Sequence, residues 1–557
     1  MDRRSFFTTP LNQKVVANQP PLSVQRTQSG LNPYAGTWTE NEVLHLLKRT
    51  MFGAKKTDID YFKTRTLNQA VDELLNPLSA LPTPPVKEYD AVGALTQPDN
   101  NIVAGTTWVN DPNNDGLIIS RRRASFKKWW VGLMANQDRS IREKMNLFWH
   151  NHFSTETNDV GNSQFIYKHH AMLRSNALGN FKTLVKLVSL DPAMLVYLNG
   201  QANTSTAPDE NNGRELQELF CCGKGLESQY TEADVKAAAR VLTGWRNDGN
   251  TFTSYFTASR HDITNKQFSA FYNNTIIQGR TGATAGDLEI DDMLNMIFAT
   301  QEVAKYVCRR IYRWFVYYDI DANTEANIIA PLAAIFRNGN YEIKPVLSAL
   351  LKSEHFFDSL NMACQIKSPV DLVIGMCREM DVQFQPPADY ISNYGLWNYL
   401  VSWLNNMQQN IGDPPDVSGW KAYYQEPQFY EIWINSDTLP KRTQFTDTLT
   451  VTGYTFNSKK IMVDGVEFAK KLSNPADPNM LLSDSIKYLL RLNLSQTSRD
   501  QIKKDILLGG QVTDYYWTDA WNTFISTPTN TANANIVKTR LTNLYKYLMG
   551  LAEYQLA

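Results

Sequence analysis

The stretch DPAMLVYLNGQANTSTAPDENNGRELQELFCCGKGLESQYTEADVKAAARVLTGW (residues 191–245) contains three consecutive runs of helical periodicity and the densest polar constellation of the chain. Asp191 and Pro192 are typical of a helix start, because Asp caps free backbone N–H groups and proline suits the first helical position. Thr231 and Asp234 form a capping motif for the last run, which Gly244 ends. The pattern predicts helices at residues 192–199, 210–222 and 231–244.

Helical periodicity extends outward from this stretch over residues 118–380. Residues 76–116, rich in Pro, Asn and Asp, interrupt it and predict a long loop insertion. Residues 246–288 alternate aromatic side chains with Ser and Thr and predict a loop that holds a hairpin. These patterns predict a mainly α protein, with a multi-helix orthogonal or bundle-like core, a long loop insertion and a smaller mixed α+β C-terminal lobe.

The chain has 557 residues, which exceeds one ordinary domain, because hydrophobic cores stop growing near ~250 to 300 residues. A hydrophobic share of 43% is enough to form buried cores. We therefore predict a polar N-terminal tail (1–37), a helical core domain (38–445) that carries both insertions, and a mostly helical C-terminal lobe (446–557).

Charge and hydropathy bear on two classes of partner. The chain carries 55 Lys and Arg against 56 Asp and Glu, a formal net charge of −1. No global positive charge attracts a phosphate backbone, so the sequence predicts no nucleic-acid partner. No apolar run reaches the ~18 to 20 residues that cross a bilayer, so it also predicts no transmembrane segment.

Several familiar motifs are absent from the sequence. The five cysteines form no CxxC pair and are odd in number, which disfavours a zinc knuckle and a disulfide framework. The chain also lacks the P-loop, the dinucleotide-binding glycine motif, HExxH and the G-x-S-x-G elbow. The common nucleotide, zincin and hydrolase-elbow classes are therefore disfavoured.

The N-terminus bears on localisation. Arg3, Arg4 and the following Ser-Phe-Phe resemble the head of a twin-arginine export signal. An export signal continues with about 7 to 15 apolar residues, whereas this chain continues with a polar, proline-broken run. The start disfavours a cleaved export peptide and leaves a cytoplasmic location open.

The predicted helix 210–222 carries the first candidate site. Glu215 and Glu218, at i and i+3, share a face with Asn211, and Arg214 lies beside them. Two carboxylates on one face repel unless they are solvated, paired with Arg or Lys, or held by a cation. The pattern has two interpretations: a catalytic or metal site formed by Glu215, Glu218 and Arg214, or a structural ion-pair network.

Histidines supply further candidate metal ligands. His150 and His152 are two positions apart in FWHNHF, so a regular helix points them to different sides and one ion cannot bind both. His261 and Asp262 lie in a predicted loop, where polar residues owe less to packing. A divalent transition metal would use a histidine together with Glu215 and Glu218; otherwise the histidines have core hydrogen-bonding roles.

Several segments, in the same order along the chain, resemble one known family. They cover about residues 38–445 and include HLLKRTMFG, EKMNLFWHNHFST, RELQELF, YTEADVKAAARVLTGW, CRRIYRWF, KSPVDL and DPPDVSGW. The family is the bacterial one catalogued as domain of unknown function 1800. The resemblance implies a largely helical protein that is usually exported to the periplasm or cell surface and is often encoded beside a sulfatase-like partner. It implies no catalytic residues, because none is established in the family.

Two hypotheses about function follow. In the first, the protein is an envelope-associated or exported binding and assembly component that acts with a partner protein; 13 Trp and 26 Tyr suit such an interface. In the alternative, it is a metal- or carboxylate-dependent hydrolase or oxidoreductase acting on a polymer or glycan fragment, with Glu215, Glu218 and Arg214 as the catalytic residues.

Overall fold

A computed structural model describes residues 30–90, 98–225, 227–420 and 431–557. It confirms the mainly α prediction, because the described residues consist of packed helices with three small antiparallel sheets of two strands each. Most of the predicted N-terminal tail, including Arg3 and Arg4, lies outside the described residues.

The α-helices of the N-terminal part and the core are numbered in chain order. They are α1 Glu40–Thr50, α2 Lys56–Lys63, α3 Leu67–Leu75, α4 Gly116–Ala135, α5 Arg142–His152, α6 Thr157–Val160, α7 Ser163–Ser175, α8 Phe181–Ser189, α9 Pro192–Tyr197, α10 Glu210–Glu215, α11 Glu232–Val241, α12 Ala285–Phe298, α13 Glu302–Phe315, α14 Ala322–Thr324, α15 Ala330–Asn338, α16 Ile343–Leu351, α17 Pro369–Glu379 and α18 Tyr390–Asn406.

The C-terminal part continues the numbering, and shorter helical turns connect several elements. The remaining α-helices are α19 Thr438–Val451, α20 Gly465–Lys470, α21 Pro478–Leu489, α22 Gln496–Ile502, α23 Tyr515–Ser526 and α24 Thr531–Met549. The π-helical turns are Leu216–Cys221, Glu325–Ile329 and Lys503–Leu507. The 3₁₀ turns are Gly200–Ala202, Ala258–Arg260, Ala270–Tyr272, Ser359–Asn361, Glu431–Trp433 and Ala552–Gln555.

The strands form three antiparallel pairs. They are β1 Trp245–Asp248 with β2 Thr253–Phe256, β3 Lys266–Gln267 with β4 Ile276–Ile277, and β5 Tyr454–Phe456 with β6 Lys459–Ile461. The first two pairs lie within or beside residues 246–288, where the sequence predicts a hairpin. Trp245 pairs with Phe256 in the first of them, so their side chains contact each other across the strands.

Side-chain caps begin the helices as the sequence predicts. The Thr231 hydroxyl accepts from the backbone N–H of Asp234, whose carboxylate accepts from the N–H of Thr231. Asp191 caps α9 by accepting from the N–H of Met194. Each such cap contributes about 1 kcal/mol to helix stability. Helix boundaries in this stretch therefore follow from local chemistry.

Helix α5 lies at the centre of the core. Every residue from Glu143 to His152 is buried, including Phe148 and Trp149 on the predicted apolar stripe. The helix packs against α7, while α4 packs against α7, α17 and α18. Because α5 exposes no face to water, its polar residues lie in the protein interior.

Two features of the fold were not predicted from the sequence. Helix α18, which packs along α4, carries aromatic, apolar and polar residues all around its circumference, and this mixture obscures its buried stripe of Leu396, Leu400 and Leu404. Helix α19 runs across the predicted boundary between residues 445 and 446 and contacts α17, α18 and α24. Because α19 packs against helices from both sides of this boundary, it joins the residues before 445 to those after 446.

Among the residues that the structure describes, no helix combines the length and apolar character needed to cross a bilayer.

Candidate functional site

The first candidate residues lie where α10 changes from an α-helix to a π-helical turn. The backbone N–H of Cys222 donates to the carbonyl of Gln217, five residues earlier, over 2.8 Å. The turn buries Leu216, Leu219 and Phe220 in the core, and it leaves the carboxylates of α10 half-buried on the other side. π-helical turns of this kind are rare and occur often at functional sites.

Gln217 holds the π-helical turn in place from inside. Its amide donates to the carbonyl of Gly213 over 2.9 Å, and its carbonyl accepts from the hydroxyl of Tyr272 over 2.8 Å. Both side chains are buried, so these hydrogen bonds form away from water. The turn is therefore fixed to the segment around β3 and β4, and the backbone that carries Glu215 and Glu218 is held in one position.

Glu215 is the most unusual carboxylate of the site. Its side chain is half-buried and makes no hydrogen bond or ion pair with any residue that the structure describes. Burial, the negative charge of Glu218 and that of Asp416 raise the pKa of Glu215 to about 7, against the opposing charge of Arg214. Near neutral pH the Glu215 carboxyl is therefore partly protonated.

Glu218, unlike Glu215, has an ion-pair partner and a hydrogen-bond donor. Its Oε1 lies 3.0 Å from the ammonium of Lys224, and its Oε2 accepts from the Tyr230 hydroxyl at 3.5 Å. The Lys224 side chain is 75% exposed, so this ion pair is screened by water. The charge of Glu218 thus remains close to Glu215 without strong neutralisation.

Two acidic residues from remote segments complete the site. The charge of Asp416 acts on both Glu215 and Glu156, which places Asp416 within electrostatic range of each of them. Burial and the charges of Asp159, Asp413 and Asp416 raise the pKa of Glu156, which accepts from the Tyr197 hydroxyl at 3.4 Å. We call Glu156, Glu215, Glu218 and Asp416 the carboxylate cluster.

The loop DPPDVSGW, residues 413–420, positions Asp416. At its start, Asp413 accepts from the backbone N–H and hydroxyl of Thr157 at 2.7 and 2.6 Å. At its end, the backbone N–H of Trp420 donates to the side-chain carbonyl of Asn151 over 2.8 Å. Gly419 has a φ of +96° and lies so close to Asn151 that a Cβ would sit 2.3 Å from its side-chain oxygen. The loop therefore requires glycine at this position.

Arg214, the third predicted catalytic residue, points toward α11. Its guanidinium pairs with Glu232 at 2.6 Å and more weakly with Glu210 at 3.4 Å. These are surface ion pairs, which contribute little to stability. Arg214 acts on Glu215 only through its charge.

The predicted histidine ligands lie in the aromatic core. His150 packs against Trp130, His170 and Trp420, and neither of its ring nitrogens has a hydrogen-bond partner among the described residues. His152 lies 3.0 Å from the carbonyl of Phe220 through Nε2. Burial lowers the pKa of both rings well below the usual value, so both are neutral.

His261 and Asp262 belong to a third location. His261 Nε2 lies 3.1 Å from a carboxylate oxygen of Glu289, which also pairs with Lys266 at 2.5 Å. Asp262 pairs with Arg240 at 2.6 Å, and although burial opposes it, this contact holds the pKa of Asp262 well below its usual range. Each of the two residues therefore has a charged side chain as a close partner.

The structure does not gather the predicted metal ligands into one site. The glutamates, His150 and His152, and the His261–Asp262 pair occupy three separate environments. Across the described ranges, no group of three or more His, Cys, Asp or Glu side chains is placed to hold a metal ion. The arrangement present is a cluster of carboxylates with one partly protonated member.

Sequence reasoning missed Asp416 and Glu156 as members of this cluster. Asp416 lies within DPPDVSGW and Glu156 directly follows FWHNHFST, two segments that the sequence singled out, but neither has a spacing that points to Glu215. The electrostatic interaction of Asp416 with the two glutamates depends on how α6, α10 and the 413–420 loop pack. No local pattern could have shown it.

Comparison with known proteins places the chain in a family. The family model described as "Protein of unknown function (DUF1800)" matches residues 45–556, so the match extends through the C-terminal lobe beyond residue 445. No curated protein and no solved structure matched the chain. Because the family model covers nearly the whole chain, the protein belongs to the DUF1800 family.

Proposed function

We propose that the protein is a carboxylate-dependent hydrolase that cleaves a glycan or related polymer, with Glu215 as its general acid. The observation that carries the proposal is the half-buried Glu215 carboxyl, which has no partner among the described residues and a pKa of about 7. A general acid is most effective when its pKa lies near the working pH. A group of this kind donates a proton to a leaving-group oxygen.

Asp416 is the candidate for the second carboxylate of this reaction. Glycoside hydrolysis uses a protonated carboxyl on one side of the scissile bond and an ionised one on the other. Among the described residues, only Ser418 bonds to the Asp416 carboxylate, with its backbone N–H and hydroxyl donating to Oδ1 at 2.7 and 2.5 Å. Oδ2 remains available to activate water or stabilise positive charge on the substrate. Tyr197 and Tyr230 hydrogen-bond to the glutamates and supply aromatic surface.

The test compares Glu215→Gln with the matched variant Glu467→Gln on a panel of soluble polysaccharides, with new reducing ends as the readout. Loss of a general acid lowers the rate by about 10²- to 10⁴-fold, whereas Glu467, an exposed residue paired with Lys470, leaves the rate unchanged. The wild-type rate falls as pH rises above about 7, because Glu215 loses its proton. Equal rates in the two variants, or no release from any polymer, would contradict the proposal.

A second candidate function, binding to a partner protein, is favoured by an exposed apolar group in the C-terminal lobe. Val512, Tyr515 and Tyr516 are 80%, 67% and 49% exposed within five residues. Such a concentration of apolar surface is typical of interaction sites. Replacement of all three by Ser would abolish co-purification with a partner from the native cell while leaving hydrolysis unchanged; retained co-purification would count against this role.

A further inference from the structure

A second charged region lies where the ends of α1, α13 and α17 approach α5. It surrounds a cavity of about 70 Å³. Five cationic side chains and a single side-chain carboxylate, that of Asp371, line it. The cations, which define what we call the cation cavity, are Lys48, Arg49, Lys144, Arg313 and Lys367.

The lining of the cation cavity presents N–H donors that lack acceptors. Arg49 is 2% exposed and uses only Nη2, which donates to the carbonyl of Asn361 at 2.8 Å and to the sulfur of Cys364 at 3.3 Å. Its Nε and Nη1, and the indole N–H of the buried Trp420, find no acceptor among the described residues. Buried donors of this kind are costly unless something accepts from them.

Lys367 adds a buried ammonium group with incomplete pairing. It is 4% exposed, lies 3.9 Å from the nearer oxygen of Glu379, and sits 3.8 Å from the centre of the Tyr554 ring. Glu379 is already engaged by Lys48 at 2.5 Å. The Glu379 carboxylate therefore lies beside two buried ammonium groups, those of Lys48 and Lys367, and the region retains excess positive charge.

We propose that the cation cavity binds a tetrahedral oxyanion, phosphate or sulfate, as the free ion or as the terminal group of a larger molecule. A water needs about 10–15 Å³ of such a cavity, so 70 Å³ holds a group of several heavy atoms. An oxyanion supplies acceptors for the Arg49 and Trp420 N–H groups and neutralises the surrounding cations, as Arg and Lys do at phosphate sites. The inference is independent of the proposed hydrolase activity.

Binding in this cavity is expected to be linked to a proton. The charged groups that act on Lys367 are Glu379, Lys48, Asp371 and Arg442. Burial is the main cause that lowers the pKa of Lys367, to about 7. A bound anion favours the charged ammonium, so the affinity for sulfate, whose own charge does not change in this range, rises as pH falls from 9 to 6 and binding takes up a proton.

The experiment measures binding of inorganic phosphate and inorganic sulfate to the full chain by calorimetry, with chloride at equal ionic strength as the reference. A sugar phosphate forms a further arm: tighter binding than phosphate identifies the terminal group of a larger molecule, and weaker binding identifies the free ion. Both outcomes support the site. A crystal soaked in selenate should show an anomalous peak within hydrogen-bond distance of Arg49.

Matched variants localise the binding. Arg49→Gln and Lys367→Met each weaken phosphate binding by about tenfold or more, the effect expected for loss of one charge-assisted hydrogen bond. Lys503→Met, which removes one positive charge from a partly exposed pair with Asp514 in another part of the chain, keeps wild-type affinity. Lys367→Met removes a charge that burial disfavours, so we expect this variant to fold. Its phosphate affinity therefore tests the site if Arg49→Gln does not fold.

Three results would overturn the proposal. The first is the absence of saturable phosphate or sulfate binding at pH 6. The second is wild-type affinity in both Arg49→Gln and Lys367→Met. The third is selenate bound only outside the cation cavity.

Discussion

The carboxylate cluster gathers like charges at a surface that water reaches, whereas the cation cavity gathers like charges in the interior. In both regions one group shifts so that its charge is reduced at neutral pH: the pKa of Glu215 rises to about 7 and that of Lys367 falls to about 7. Burial is the main cause of both shifts, and because burial disfavours the charged form, it raises the pKa of the carboxyl and lowers that of the ammonium. The comparison teaches that burial removes charge from an acid by protonation and from a base by deprotonation.

The largest expected effect tests whether the cations of the interior are indispensable. Lys48→Met leaves the Glu379 carboxylate buried without its 2.5 Å partner, in a pair whose side chains are 2% and 3% exposed. Loss of one partner of a buried pair costs about 3–5 kcal/mol. Urea unfolding should show this loss for Lys48→Met and little change for Lys56→Met, whose partner Asp60 is 52% exposed. Equal losses of unfolding free energy in the two variants would show that the buried pair matters no more than the surface pair.

The second prediction concerns Lys367→Met. The folded pKa of Lys367 lies below its usual value of 10.5, so the unfolded chain binds more protons between pH 7 and 10.5 and wild-type stability rises with pH across that window. Removal of the ammonium therefore stabilises the fold most below pH 7. The variant also loses the contact between the ammonium and the Tyr554 ring, which offsets part of this stabilisation. We expect the free energy of unfolding to rise by about 2–3 kcal/mol at pH 6 and to match that of the wild type near pH 10.5.

Unfolding of Lys367→Met and wild type at pH 6 and at pH 10 checks this window. A gain that grows with pH would show that burial does not disfavour the Lys367 ammonium.

The third prediction concerns Glu215→Gln in the carboxylate cluster, where the pH dependence of stability has the opposite sign. The folded pKa of Glu215 lies above its usual 4.5, so the folded state binds more protons between pH 4.5 and 7 and stability falls as pH rises through that window. Glu215→Gln should stabilise the protein by about 1–2 kcal/mol at pH 8, discounted because the side chain is half-exposed. The gain should be small at pH 5. Thermal unfolding at both pH values measures it, and a destabilised variant at pH 8 would contradict the electrostatic origin.

The smallest effect separates Arg214 from Glu215. Arg214 pairs with surface carboxylates, so Arg214→Ala should leave thermal stability and hydrolysis within error of wild type. A loss of activity as large as that of Glu215→Gln would place Arg214 in the reaction and extend the site toward α11.

Much of the fold was predictable because its signals are local. Caps at Asp191 and Thr231, together with the 3.6-residue period, placed the helices of residues 191–245 to within a few residues. Helix α18 was missed because its aromatic and apolar residues are spread around the helix and Ser392 and Asn393 are buried with them, so the 3.6-residue period is weak there. The π-helical turn was missed because a regular helix was assumed throughout residues 210–222.

The sites were less predictable because they depend on contacts between remote segments. Spacing along one helix singled out Glu215 and Glu218, but nothing local connects them to Asp416 or Glu156. The cation cavity draws its cations from HLLKRTMFG, EKMNLFWHNHF, CRRIYRWF and KSPVDL, segments far apart in the chain. Only packing brings these residues together.

The central position of α5 has a consequence for motion. Its residues from Glu143 to His152 are all buried, so small fluctuations of the surface do not expose its backbone. Its amide protons should exchange with deuterium only when the whole core opens, at the slowest rate in the molecule. The 413–420 loop, attached to α5 through Asn151, is thereby anchored to the most slowly opening part of the protein.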